Sequence, residues 1–163
     1  MTISDLSWIS LRLANVTGPR LAIGPNPTFY KRLKGGQKFL CSDAIRDFLD
    51  MSDFLELMKL SLREDAPAGI FNASTGEGHR IVDVFDAVAA CLGVAPAEPV
   101  PVVPASPDDV PTLVLDPSRT CDALGWKAKV GFSESIARVI DWYDVHGVST
   151  IRSHLQPARA ERR

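Results

Sequence analysis

Nine residues near the start, Trp8 to Val16 (WISLRLANV), constrain the fold more than any other segment. Apolar residues alternate around Ile9, Leu11 and Leu13, and the turn chemistry of Thr17-Gly18-Pro19 ends the run, so a β-strand is predicted. A strand this apolar normally sits inside a parallel sheet and is covered on both faces. The sequence reads with no helix before it to cover a face and no earlier strand to pair with it. The expectation is the back part of a larger fold that has lost its front.

The rest of the chain alternates short strands with amphipathic helices. A Pro-rich loop (Gly24-Pro25-Asn26-Pro27) leads to a helix from about Thr28 to Lys34, stopped by Gly35-Gly36. Lys38 to Cys41 and Ile45 to Asp50 read as short strands, and Ser52 as the cap of a helix reaching about Arg63, with Leu55, Met58 and Leu62 on one face. Gly69 to Ala73 is another strand. Ile81, Val84, Phe85, Val88, Ala89 and Leu92 recur at helical spacing. Six prolines between Ala95 and Pro111 leave a loop with at most an edge strand at Val100 to Val103. Asp116-Pro117 supplies a cap and a proline at the first helical position, and Gly125 a stop. A last helix starts near Ser133, with Phe132, Ile136, Val139, Ile140 and Tyr143 on one side. There is no internal repeat, and the class is α/β.

Length allows one domain with a real core. Hydrophobic residues at 45% and charged residues at 23% are ordinary for a globular protein, and a net charge of −2 argues against nucleic acid as a partner. Cys41, Cys91 and Cys121 are odd in number and widely spaced, without metal-binding spacing, which points to a reducing compartment. No signal peptide is read at the start, and no apolar run approaches the ~20 residues needed to span a bilayer. A cytoplasmic protein without a membrane partner is expected. Residues 151–163, which include Arg159, Arg162 and Arg163, read as a flexible tail.

Four segments, in order, resemble the back half of an extended short-chain dehydrogenase/reductase of the NAD-dependent nucleotide-sugar epimerase and dehydratase group. LRLANVTGPR (Leu11 to Arg20) is similar to the family's R-x-x-N-x-Y-G-P strand and turn. IRDFLDMSD (Ile45 to Asp53) is similar to R-D-F/W-x-x-V-x-D, and GIFNASTGEGHRIVDVFDAV (Gly69 to Val88) to the Y/F-N-x-G strand and its helix. LDPSRTCDALGWKAKVGFSESIARVIDWY (Leu115 to Tyr143) is similar to the closing D-x-x-K-x-x-x-x-L-G-W segment. The resemblance covers roughly residues 8 to 147 and is nearest to bacterial UDP-sugar 4-epimerases of surface-polysaccharide synthesis. It implies the last strands of a Rossmann fold plus a small substrate-binding α/β subdomain, occupying residues 1–150.

The resemblance also implies site residues. Arg46 matches an arginine that clamps a diphosphate, a task suited to a planar fork of donors. Its alternative is a plain ion pair with Asp43, Asp47 or Asp50. Asn15 matches an asparagine that holds the diphosphate or the sugar, and it is equally a turn-forming residue before Gly18-Pro19. Pro27, Thr28 and Phe29 fall where a loop approaches the nucleotide, and Gln37 to Phe39 where a strand borders the base; both could be turn and core. Asp109 falls where an acid of an R-P-G-D-like segment touches the ribose or base. Ser106 stands at the approximate place of that segment's arginine, so Asp108 and Asp109 also read as a solvated pair.

The family's NAD site is a G-x-x-G-x-x-G turn opening a helix. The nearest glycine-rich stretch here, Gly76-Glu77-Gly78-His79, follows a late strand and lacks the third glycine. Tyr30 and Lys34 have the spacing of the family's catalytic Tyr-x-x-x-Lys. That pair belongs on a helix before the LRLANV strand, whereas Tyr30 and Lys34 come after it. His79, His146 and His154 are scattered, with no metal-ligand spacing. The expected function is therefore binding of a nucleotide sugar, with no catalytic residue, no metal and no NAD bound by this chain alone. The expected partner is a chain supplying the front Rossmann half, or a second copy. The alternative is a non-catalytic interaction protein that pairs through its N-terminal apolar strand.

Overall fold

The computed structural model describes residues 7–38, 40–96 and 98–148. In chain order its elements are β1 (Ile9–Leu13), β2 (Asn15–Thr17), α1 (Pro25–Lys34), β3 (Cys41–Ser42), β4 (Ile45–Arg46), β5 (Phe48–Asp50), α2 (Met51–Ser61), β6 (Gly69–Ala73), β7 (His79–Arg80), α3 (Ile81–Leu92), β8 (Val102–Val103), β9 (Thr112–Leu113), α4 (Ser118–Leu124) and α5 (Phe132–His146). This is the expected α/β alternation. The expectations for Phe39, for His154 and for a flexible tail at 151–163 fall outside the described residues.

Two expected strands are each divided, for one reason. β1 lies parallel to β6, from Ile9 opposite Gly69 to Leu13 opposite Ala73, whereas β2 lies parallel to β5, from Asn15 opposite Phe48 to Thr17 opposite Asp50. The chain changes partner at Ala14. The Ala14 N–H still donates to the Ala73 carbonyl at 3.0 Å, and the next N–H, that of Asn15, donates to the Asp47 carbonyl at 2.9 Å. The segment 45–50 divides at Asp47 in the same way. β4 runs between β7, antiparallel, and β9, parallel, while β5 turns to β2. Alternating apolar residues do not reveal such a switch, because the backbone stays extended on both sides of it. β3 starts at Cys41 and pairs in parallel with β8, which is shorter than the edge strand expected.

Helix starts shift for identifiable reasons. α1 begins at Pro25, earlier than expected, because Pro25 and Pro27 lie in the first turn, where a missing N–H costs no intrahelical bond. α2 is capped by Asp50 and not by Ser52: Asp50 Oδ1 accepts the Ser52 N–H at 2.8 Å and the Ser52 hydroxyl at 2.6 Å. α4 starts at Ser118, one residue after Pro117, and Asp116 Oδ1 accepts the Ser118 N–H at 2.9 Å.

Two cores result. The larger packs α1, α3 and α5 together through Phe29, Tyr30, Phe85, Val88, Ile136, Ile140 and Tyr143. The smaller gathers Ala14, Leu49, Leu57, Ala73 and Trp126, with Leu11, Phe54 and Leu124 at its margin. Phe48 and Leu49, adjacent on β5, serve one core each. One strand switch, at Ala14, thus lies within the smaller core, and the other directly precedes Phe48 and Leu49.

Candidate functional site

The candidate site is built on β4 and the residue after it. Arg46 is half-buried, and its guanidinium is spread over three partners. Nη1 donates to the Ile45 carbonyl at 2.8 Å and to the Pro111 carbonyl at 3.4 Å, and Nη2 donates to Asp109 Oδ1 at 2.6 Å. Two residues singled out separately in the sequence are therefore one ion pair. The three acids offered as alternatives are engaged elsewhere. Asp43 Oδ1 accepts the Ala105 N–H at 2.7 Å. Asp50 is held by Ser52, by the Ser135 hydroxyl at 2.7 Å and by Arg138 at 3.4 Å. Burial pushes the Asp50 carboxyl up, but the hydrogen bonds from Ser52 and Ser135 and the Arg138 charge outweigh it, and the group lies below the usual carboxylate range.

Asp47 is buried and fully used. Its Oδ1 accepts the Thr75 N–H at 3.1 Å and the Thr75 hydroxyl at 2.7 Å, and its Oδ2 accepts the Gly76 N–H at 3.0 Å. Its carbonyl takes the Asn15 backbone N–H and, at 3.3 Å, the Asn15 side-chain amide. Asn15 is exposed on β2, and its anchor Asp47 directly follows Arg46 in the chain. Pro27 is buried at the start of α1, and that start is tied to β2 by the Asn26 amide donating to the Thr17 hydroxyl at 2.6 Å. Phe29 is buried in the larger core, its ring edge-on to Phe85 at 5.7 Å and 87°.

Sequence reasoning weighed Asp47 only as an ion-pair alternative for Arg46, not as the anchor of the Thr75–Gly76 turn and of Asn15, and did not single out Thr17 and Asn26. The signal for Asp47 was its place, an acid directly before an apolar strand and directly after the candidate arginine.

Tyr30 donates to Asp144 Oδ1 at 2.8 Å, and Lys34 pairs with the same carboxylate at 2.8 Å. Burial and the Asp144 carboxylate push the Tyr30 phenol up to about 12, the direction opposite to that of a tyrosine base. The glycine-rich stretch is packed closely against its own chain. A Cβ on Gly78 would lie 2.7 Å from Ile45 Cγ2 and 2.9 Å from Val114 Cγ2, and one on Gly76 would lie 3.1 Å from Pro117 Cδ. These glycines admit neighbouring protein atoms. His79 stacks on Phe132 at 3.9 Å, and His146 packs against Trp142 at 4.8 Å. Among the described residues no group of three or more His, Cys, Asp or Glu could hold a metal ion. No helix there is long and apolar enough to cross a membrane.

An open groove lies elsewhere. It is about 590 Å³ and runs between β1 (Trp8, Ile9, Leu11, Leu13) and α2 (Phe54, Met58). Ser7, Ser61, Arg63 and Glu64 line it beside these apolar residues.

A family model described as GDP-mannose 4,6 dehydratase matches residues 5–139. WbmG of Bordetella bronchiseptica, solved in complex with NAD and UDP, is 62% identical, with a TM-score of 0.87 over 96% of this chain and 50% of its own. The UDP-glucose 4-epimerase of Thermus thermophilus, solved with NAD, is 34% identical, with a TM-score of 0.73 over 86% of this chain and 48% of its own. UDP-arabinose 4-epimerase 1 of Arabidopsis thaliana is 25% identical over 88% of this chain and 40% of its own length. The chain thus spans half or less of the proteins it matches. Family match, fold and motif order agree, and the chain belongs to the NAD-dependent nucleotide-sugar epimerase/dehydratase family.

Proposed function

We propose that residues 1–150 form the nucleotide-sugar-binding part of an NAD-dependent epimerase or dehydratase, with a UDP-sugar as the ligand class. The observation that carries this is the convergence of Arg46, Asp109 and, through Asp47, Asn15 on one switch point between strands. The UDP held by WbmG, at 62% identity, supports the choice of nucleotide.

In this reading Arg46 presents a planar cationic fork to the diphosphate, steadied by the Ile45 and Pro111 carbonyls. The Asn15 amide, steadied against Asp47, adds a neutral hydrogen-bonding group for the diphosphate or the sugar. Asp109, half-exposed, pairs with Arg46 at the solvent side of the site. The hydride carrier and the base come from the front half of the fold, so the chain alone is inactive and binds no NAD. That half is supplied along β1, by another chain or segment. The parent reaction is an isomerisation or dehydration of a nucleotide sugar, in polysaccharide synthesis in the cytoplasm.

A second reading rests on β1 itself. Among the described residues β1 pairs only with β6, while Trp8 is 56% and Leu13 46% exposed beside the open groove. In that reading the chain is an interaction protein that pairs through this edge.

Calorimetric titration with UDP and, separately, NAD, on the native chain and on Arg46→Ala, separates the two. UDP binding that Arg46→Ala removes, without NAD binding, is the expected result. A stable dimer that binds neither favours the interaction reading, and tight NAD binding overturns the first.

A further inference from the structure

The guanidinium of Arg46 is already engaged by an acid of its own chain. Asp109 lies 2.6 Å from Nη2, and the arginine side chain is 13% exposed while the carboxylate is 47% exposed. Asp109 is carried by the strap 104–111, which is fastened at both ends. β8 pairs with β3 before it and β9 pairs with β4 after it. Within the strap, Asp43 holds the Ala105 N–H and the Asp109 N–H donates to the Ser106 carbonyl at 2.8 Å. The strap sequence PASPDDVP contains two acids and no basic residue. The fold therefore delivers a carboxylate, with no compensating cation, to a fork of donors that an external oxyanion would also need.

Carboxylate and phosphate oxygens compete for the same guanidinium geometry. An arriving diphosphate must displace Asp109 or sit beside it against like charge, which costs binding energy in a half-buried setting. A group tethered by a short, doubly fastened strap has an effective concentration of roughly millimolar order or above, so a weakly held free anion does not displace it.

We propose that Asp109 is a built-in competitor for the oxyanion site at Arg46, occupying the guanidinium when no ligand is present and giving way only to a ligand with further contacts. This rests on the reading of Arg46 as the diphosphate clamp. Its consequence is selectivity: inorganic phosphate is refused, and a nucleoside diphosphate, anchored also through its base and ribose, is admitted.

The test is calorimetric titration of the full chain with UDP and with inorganic phosphate, using the native protein, Asp109→Asn, Asp109→Ser, Arg46→Ala and the Arg46→Ala/Asp109→Asn double variant. Urea midpoints check that each variant is folded. Both Asp109 variants should bind UDP about three- to tenfold more tightly and gain measurable affinity for phosphate, and the gain should vanish when Arg46 is also replaced. If Arg46→Ala abolishes UDP binding but the Asp109 variants bind no better than the native chain, the competitor is refuted and the clamp stands. UDP binding untouched by Arg46→Ala refutes the clamp, and the competitor with it. A gain that persists in the double variant is general charge removal and overturns the proposal. So does the absence of binding by every variant, because an unmasked Arg46 should then bind.

Discussion

The indole nitrogen of Trp126 donates to the backbone carbonyl of Asp53 at 3.0 Å, joining the last residue of the IRDFLDMSD segment to the LGW segment near the end of the chain. The Asp53 carboxylate completes the joint, with Oδ2 accepting the N–H groups of Lys129 at 3.0 Å and Val130 at 2.9 Å. Both residues are buried. Asp53→Ala leaves two backbone donors without their acceptor and should destabilise the fold by about 2–4 kcal/mol. Trp126→Phe loses one donor and some volume and should cost about 1–3 kcal/mol. Urea unfolding of the two variants checks the ranking.

Asp47 should be as sensitive, for a different reason. Its two oxygens hold the turn at Thr75 and Gly76 against β4. Asp47→Ala is expected to cost about 2–4 kcal/mol and to speed amide hydrogen exchange selectively at those two residues. Unchanged exchange there would show that the turn holds itself.

Asp50 fixes the acid limb of stability. Its pKa is lower in the folded chain than in the unfolded one, so its contribution is complete above the unfolded value of about 3.9 and is lost as pH falls through the folded value. The thermal midpoint should therefore fall below about pH 4. Asp50→Asn should flatten that fall while costing about 1–3 kcal/mol at neutral pH. A limb equally steep in the variant would assign acid unfolding to other carboxylates.

The two tyrosines of the chain give a spectroscopic test. Burial raises both phenols, Tyr30 to about 12 with help from Asp144 and Tyr143 further. Tyr143 is also held through its hydroxyl, which donates to the Leu21 carbonyl. Ultraviolet titration should show no phenolate step near 10, with ionisation arriving only near 12 or together with unfolding. A step near or below 10 that disappears in Tyr30→Phe would restore Tyr30 and Lys34 as a candidate base pair.

How much of this was legible depends on the range of the interaction. The α3 helix and β6 could be read from residues 81–92 and 69–73 alone, since their cues are local in the chain. Arg46, Asn15 and Asp109 could be named because each stands in a short motif. That Arg46 and Asp109 form one pair could not be read, because 63 positions of chain separate them and the strap that closes the distance has no periodicity. The acid that caps α2 was missed by two positions, since Asp50 and Ser52 are both good caps and only the extended backbone at Asp50 decides between them. The two-residue bridges β7 and β9 left no sequence pattern at all, being too short to alternate.

The strand switches at Ala14 and Asp47 have a kinetic consequence. β1 finds its partner at Gly69 to Ala73, β3 at Val102 and β4 at Thr112, so these parallel pairings close loops of about sixty residues before any contact rewards them. Folding should be slow for a chain of this size, with the helices forming early and waiting on the sheet. During that wait the apolar segment around Ile9 to Leu13 is unpaired, and refolding yield should fall as protein concentration rises.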